Sequence, residues 1–338
     1  MAEPASFAPL FMMVCFAIVA GVAFSGELPA LASKRTFAAV LLHRGTVAGN
    51  NAGSYGVYVR SGDTTWTKLT LSNIISFGLG YYGNGATHRY YLAGGNGVHR
   101  STDGGRTWRI LTSWRTEEIL CIAPDPVDSA ILYAATPFGV FKTTDDGATW
   151  CNKKNGFRKW FIQKLIIDRD DRKVLYAASE DDLYRSSDAG ERWVPMNVGG
   201  SEILALLQHP AHPDILLAGQ EDEGIRFSTD RGATWAVARV PFATSIYAFG
   251  SSTDGRDLYA AGWKSGLWRS EDGGTTWTQV WRADGIEAIY SVLVDPEDPA
   301  HVMAGTVGSG VFESFDRGLT WRGAGLSGAQ VKQIEFYP

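Results

Sequence analysis

Cysteine is scarce in this chain, with three among 338 residues: Cys15, Cys121 and Cys151. Cys15 sits in a hydrophobic run, so only one pair is left to bridge, and no C-x-x-C spacing occurs. The expectation is three free thiols, no metal and no cofactor. Positive charge is not in excess either. Lys and Arg total 31 against 36 Asp and Glu, a formal net charge of −5. A surface of that sign does not attract a polyanion, which argues against nucleic acid as a partner. Glycine-rich phosphate loops, a Ser-His-Asp order and clustered histidines are all missing. His209 and His212, in the turn His209-Pro-Ala-His-Pro213, have no companions that would complete a catalytic set. They read as surface turn residues.

Long apolar runs are missing too, with one exception. No charged residue falls between Ala5 and Gly26, and Phe7–Phe24 is almost wholly apolar. As a helix, about 20 residues span the hydrocarbon core of a bilayer. Residues 1–35 therefore read as a leader and linker. Ala30-Leu31-Ala32 offers a signal-peptidase-like site before Ser33. The usual positive n-region is missing, however, and Lys34 and Arg35 follow the segment instead. That charge order would hold them in the cytoplasm and argues against export. We expect residues 7–24 to be retained in a membrane, with a cleaved leader and a free exported protein as the alternative.

What the sequence has in abundance is glycine, 39 residues, and tryptophan, 12 residues. Both belong to a repeat, Ser/Thr-x-Asp-x-Gly-x-Thr-Trp. Its aspartates and tryptophans are Asp103 and Trp108, Asp145 and Trp150, Asp188 and Trp193, Asp230 and Trp235, Asp272 and Trp277, Asp316 and Trp321. A worn copy, Ser61-Gly-Asp-Thr-Thr-Trp66, opens the series with Asp63 and Trp66. Successive aspartates stand 40, 42, 43, 42, 42 and 44 residues apart. The flanks repeat as well. An apolar strand comes first, then one ending in small residues (Val174-Leu-Tyr-Ala-Ala), then a short strand (Asp182-Leu-Tyr-Arg) before the box, and the box Trp begins a fourth. Four strands per unit of this length make the blade of a propeller. The predicted fold is all-β: seven four-stranded blades over residues 36–338, one domain, monomeric. In each box the Asp should accept backbone N–H groups across a hairpin turn, the Gly should supply φ > 0, and the Trp should fill the space between blades. A residue needed in every blade serves the repeat rather than catalysis. The first blade lacks a first strand of its own. The tail Val331–Tyr337 matches the inner-strand pattern Ile162-Gln-Lys-Leu-Ile-Ile-Asp168, so it should close the ring there.

These boxes resemble those of the Asp-box, or bacterial neuraminidase repeat, propellers, over about residues 37–338. Among them the chain is most similar to the photosystem II stability/assembly factor family, with one seven-bladed ring, short blades, a box in every blade and an export-like leader. That resemblance implies a non-enzymatic scaffold, subunit or assembly factor on the extracytoplasmic, periplasmic or lumenal side of a membrane complex. A photosynthetic reaction centre is the implied partner. Sialidases resemble it less, because Arg-Ile-Pro and long insertions are missing. Xyloglucan hydrolases use two propellers where this chain has one. The alternative is an exported glycan-binding protein or glycosidase. Glu118 and Glu202, at equivalent positions before inner strands, and Glu287, one residue out of step, could reach the central channel as a carboxylate pair. They read otherwise as solvated turn residues.

A partner would meet the face opposite the boxes. Its loops carry Trp114, Arg115, Lys153, Lys154, Arg158, Lys159, Trp160, Trp263, Lys264, Trp281 and Arg282. Trp beside Arg is a common composition of interface hot spots. Acidic stretches lie near them at Glu180-Asp181-Asp182 and Glu221-Asp222-Glu223. Mass spectrometry of the native N-terminus checks the leader. A chain that retains residues 7–24 is expected, and one beginning near Ser33 would show a signal peptide.

Overall fold

The computed structural model describes residues 35–43, 55–69, 74–112, 118–240 and 244–337. The expected leader helix at residues 7–24 therefore lies outside the described residues. Seven antiparallel four-stranded sheets form the blades of a propeller. We number them 1 to 7 from the blade of Trp66 to that of Trp321. Blade 4 is representative, with strands Ile162–Ile167, Leu175–Ser179, Leu183–Ser186 and Val194–Pro195 from the axis outward. The ring closes as the repeat predicts. Ala329–Tyr337 is the innermost strand of blade 1 and pairs antiparallel with Arg35–His43, from Arg35 opposite Tyr337 to His43 opposite Ala329.

The second strand of each blade is covered on both faces by neighbouring blades. Such a strand should lose the polar alternation of a half-exposed one. Leu132–Thr136, Leu175–Ser179, Leu216–Gln220, Leu258–Gly262 and Val302–Thr306 are buried at every position. The small residues at their centres reflect how closely the blades converge. A Cβ placed on Gly219 would come within 2.7 Å of the Ile246 side chain in the next blade.

The box works through its hydroxyls as well as its carboxylate. In blade 3, Thr143 Oγ1 donates to Asp145 Oδ1 at 2.7 Å and accepts the Gly147 N–H at 3.0 Å. Asp145 in turn accepts the Thr149 N–H at 2.8 Å and the Thr149 hydroxyl at 2.6 Å. The same set holds Asp103, Asp230 and Asp316. The hydroxyl bonds from Thr149, Thr234 and Thr320 hold the carboxyls of Asp145, Asp230 and Asp316 at about 2. In blade 4, Arg192 replaces the threonine and only its N–H reaches Asp188.

The turn needs two left-handed residues rather than the single glycine expected. Gly147 has φ 86° and Asp146 before it φ 60°, and Ala189 and Gly190 repeat the pattern at 58° and 89°. This is the sequence of angles of a type I′ turn, whose twist matches the strands it joins.

Each box Trp packs against the preceding blade. Trp193 is buried among Tyr133, Val140 and Phe157, with the Phe157 ring 4.8 Å away. Its Nε1 donates to Lys153 O at 2.9 Å. Trp66 likewise donates to Ala324 O of blade 7 at 2.7 Å. Two other expectations are corrected. Trp281 is the last residue of the strand Thr278–Trp281, and its ring stacks on Trp321 at 4.4 Å between blades. A fourth strand longer than those of most blades carries it out of the loop. His209 is 3% exposed rather than superficial. Its Nδ1 accepts the N–H groups of Ala211 and His212 at 3.2 and 3.0 Å. Asp168 and Asp295 do the same in their own blades through a carboxylate. Burial, with repulsion from His212, depresses the His209 ring to about 4, so it stays neutral and can accept.

The innermost strands share an irregularity. Their pairing skips one residue near the start, which is Phe77, Gln163, Leu204, Tyr247, Tyr290 or Lys332 in six blades. Leu120 precedes the corresponding strand in blade 3. All seven are partly exposed, although they lie at the middle of the ring.

Trp193→Ala should destabilise the protein by about 3–5 kcal/mol through loss of the packed ring, read as a lowered urea midpoint. The box carboxyls are depressed in the folded state from 3.8 to about 2. Their contribution is therefore complete above about pH 4 and is lost as pH falls toward 2. Acid titration monitored by tryptophan fluorescence should show unfolding in that window, with a shallower pH dependence in Asp145→Asn.

Candidate functional site

Loops from the second to the third strand, and from the fourth strand to the next blade, share one face of the ring. The boxes occupy the other. Among the described residues of the loop face, blades 3 and 4 present the largest group of exposed aromatic side chains: Phe138 at 63%, Trp160 at 49% and Phe161 at 37% exposure. The Lys154 ammonium lies over the Trp160 ring, 4.7 Å from its centroid. Asn152 Nδ2 donates to Phe138 O at 3.1 Å and ties the short turn of blade 3 to this loop. An exposed cation over an indole adds about 0.5–1 kcal/mol and holds the ring presented rather than collapsed.

The loop beneath is fastened to blade 4. Phe157 is buried against Tyr184 at 4.7 Å, and the Arg158 N–H donates to the Tyr184 hydroxyl at 3.2 Å. Gly156 has φ 105°, and a Cβ there would sit 2.0 Å from Trp193 O, so only glycine fits. Ser179 Oγ donates to Lys159 O at 3.2 Å. The patch is therefore a held surface.

The structure distributes the remaining candidates widely. Lys154 and Trp160 come together, while Arg158 and Lys159 are exposed on the same loop, with Lys159 Nζ 3.7 Å from Glu180. Lys153 instead turns to the adjacent box, where its ammonium bonds both oxygens of Glu191 at 2.7 and 2.8 Å. Trp263 is half-buried in blade 6, with the Lys264 ammonium 5.5 Å from its ring. Arg282 is exposed nearby in sequence to Trp281, which faces inward. Trp114 and Arg115 lie outside the described residues. Phe138 and Phe161 are exposed beside Trp160 and were not among the candidates. Their signal is weak, a single bulky residue in a turn and one just before a strand.

The acidic sector divides. Asp182 is buried and accepts the N–H groups of Leu183, Asn197 and Val198 at 2.9, 2.9 and 3.0 Å, a structural role. Glu202 is different. Burial pushes its carboxyl upward, a bond from Gln163 Nε2 pulls it back, and repulsion from Glu221 and Glu180 adds to the rise. Glu118 and Glu287 are exposed, in blades 3 and 7.

No family model matches the chain. Over 146 residues, 37% of this chain, it is 32% identical to an oligoxyloglucan reducing-end-specific xyloglucanase of Emericella nidulans. That match spans only 18% of the fungal enzyme. Among solved structures, a GH74 enzyme of Niastella koreensis superposes with a TM-score of 0.59 at 19% identity, over 72% of this chain and 43% of that one. YCF48 bound to D1 peptide superposes with a TM-score of 0.55 at 16% identity, over 69% of this chain and 78% of that one. The likeness in structure is one of fold. The chain is a seven-bladed propeller resembling both kinds of protein.

Proposed function

We propose that this chain is a non-enzymatic scaffold, a subunit or assembly factor, that docks a protein of a membrane complex on its extracytoplasmic side. A photosynthetic reaction centre is the candidate complex. The observation that carries this reading is the patch of Phe138, Lys154, Trp160 and Phe161 on the loop face. Aromatic rings beside cations, held open on a rigid base, suit a protein interface. The fold likeness to YCF48, which has been solved with a bound peptide, supports it.

A second reading is glycan cleavage or binding, favoured by the sequence match to a xyloglucanase and by Glu202. Burial shifts the Glu202 carboxyl in the direction that a general acid needs, and exposed Trp160 could stack on a sugar ring.

Recovery from mildly solubilised native membranes separates the two. A membrane complex should co-purify with the wild type, and Phe138→Ala with Trp160→Ala should weaken its recovery, each anchor being worth about 2 kcal/mol. The same preparation should leave xyloglucan oligosaccharides intact. Turnover that is lost in Glu202→Gln would overturn the scaffold reading in favour of the hydrolase.

A further inference from the structure

The skipped residues of the inner strands meet around the axis. The Tyr247 and Tyr290 rings, on neighbouring inner strands, lie 5.2 Å apart. The Lys332 ammonium of the next strand lies over Tyr290, 4.3 Å from its centroid. These three form an arc at the loop-face end of the channel, and Phe77, Leu120 and Leu204 continue it with apolar side chains. One residue deeper on blade 4 is Lys164; burial lowers the Lys332 pKa, and repulsion from Lys164 adds to the shift. Blades 1 and 4 are not neighbours, so that repulsion acts across the axial space. Among the described residues neither lysine forms an ion pair. Glu335, farther down the same strand as Lys332, is 7% exposed and accepts a bond from Gln333 Nε2 at 2.7 Å. Burial pushes its carboxyl up to about 8, against the opposing pull of the Gln333 bond and the Lys164 charge, so at neutral pH it is mostly protonated and offsets little of the positive charge.

We propose that this mouth of the axial channel binds a carboxylate carried on an aromatic or aliphatic body. The lysines supply the charge and the Tyr–Tyr–Phe arc covers the apolar part. Inorganic anions satisfy only half of such a site, and neutral apolar compounds only the other half. The required chemistry exists in a free organic acid and in the C-terminus of a polypeptide ending in an apolar residue. The site operates with or without a protein docked on the Trp160 patch.

Calorimetric titration of the full-length protein with 3-phenylpropionate tests it. Saturable binding is expected, and 3-phenylpropanamide, without the charge, should bind at least about tenfold more weakly, the usual scale of a charge-assisted hydrogen bond. Lys332→Met should lose about the same factor while Lys332→Arg retains most of the affinity. Tyr290→Ala, removing the covering ring, should weaken binding in a protein whose thermal unfolding is checked in parallel. Burial, with repulsion from Lys164, lowers Lys332 to about 8, and Glu335 ionises in the same range. Affinity should therefore fall as pH rises through about 8. A peptide ending in Phe that binds more tightly than phenylpropionate, and loses this on amidation, would assign the source to a polypeptide terminus. Tighter binding of the free acid would assign it to a small molecule. Equal binding of acid and amide, full competition by inorganic phosphate, or no saturable heat from the folded wild type would each overturn the proposal.

Discussion

The ring depends on one non-covalent closure. Seven sheets arranged about an axis leave two open edges unless the two ends of the described chain meet in a single blade. Here the nine-residue strand Ala329–Tyr337 supplies that pairing against Arg35–His43. Both flanks of the closing blade are reinforced. Toward blade 2, Phe37, Tyr81, Tyr90 and Tyr337 form an aromatic cluster with centroids 5.0–5.8 Å apart. Toward blade 7, Arg60 bonds buried Glu313, with its Nη1 at 2.8 Å, and Glu313 also holds Arg322 and His301. A carboxylate that is 1% exposed tolerates its charge only because cationic donors surround it. The strand that closes the ring is also the one that brings Lys332 and Glu335 to the axis.

The fold was legible because its information is local and repeated. A box needs a hydroxyl, a carboxylate, a glycine and an indole within eight positions, and each of these has a distinct side-chain chemistry. Closure was legible because the tail copies an inner-strand pattern that blade 1 lacks. Features without such a signature were hidden. The residue before the box glycine adopts φ near 60° whether it is Gly104, Asp146, Ala189 or Arg231, so no residue type marks it. His209 stands where other blades use Asp, and the sequence shows only a histidine in a Pro-rich turn. Its role as a neutral acceptor appears once its buried partners are seen.

The surface was less legible. Composition drew attention to the loop of residues 152–160, but it could not tell Lys154, which lies over Trp160, from Lys153, which is bound to Glu191. Both are lysines one position apart in a non-periodic segment, where side-chain direction is set by backbone turns. Trp281 misled for the opposite reason, since a strand two residues longer than its counterpart in blade 4 carries it into the interblade core. The axial arc was invisible for a related reason. One skipped residue breaks the period of two on which strand reading depends. Tyr247, Tyr290 and Lys332 then look like ordinary members of alternating strands.

Chain entry relates these surfaces to one another. Arg35 pairs with Tyr337, so the strand Arg35–His43 begins on the box face. The aromatic patch and the mouth lined by Lys332 lie on the opposite face. Should residues 7–24 hold the chain in a bilayer, as we propose, a short linker would favour the box face as the one nearer the lipid. The loop face would then point away from the membrane. Inner strands of six residues rise about 20 Å at roughly 3.3 Å per residue. A docked protein would have to project at least that far beyond the bilayer surface, which favours an extramembrane segment over a transmembrane helix as the contacting element. The box face offers exposed hydrogen-bonded carboxylates with pKa values near 2. Such fixed negative charge adds no attraction for an anionic lipid surface. Arg192, Arg231 and Arg317 stand in the same box loops, so the face is mixed in charge rather than uniformly acidic.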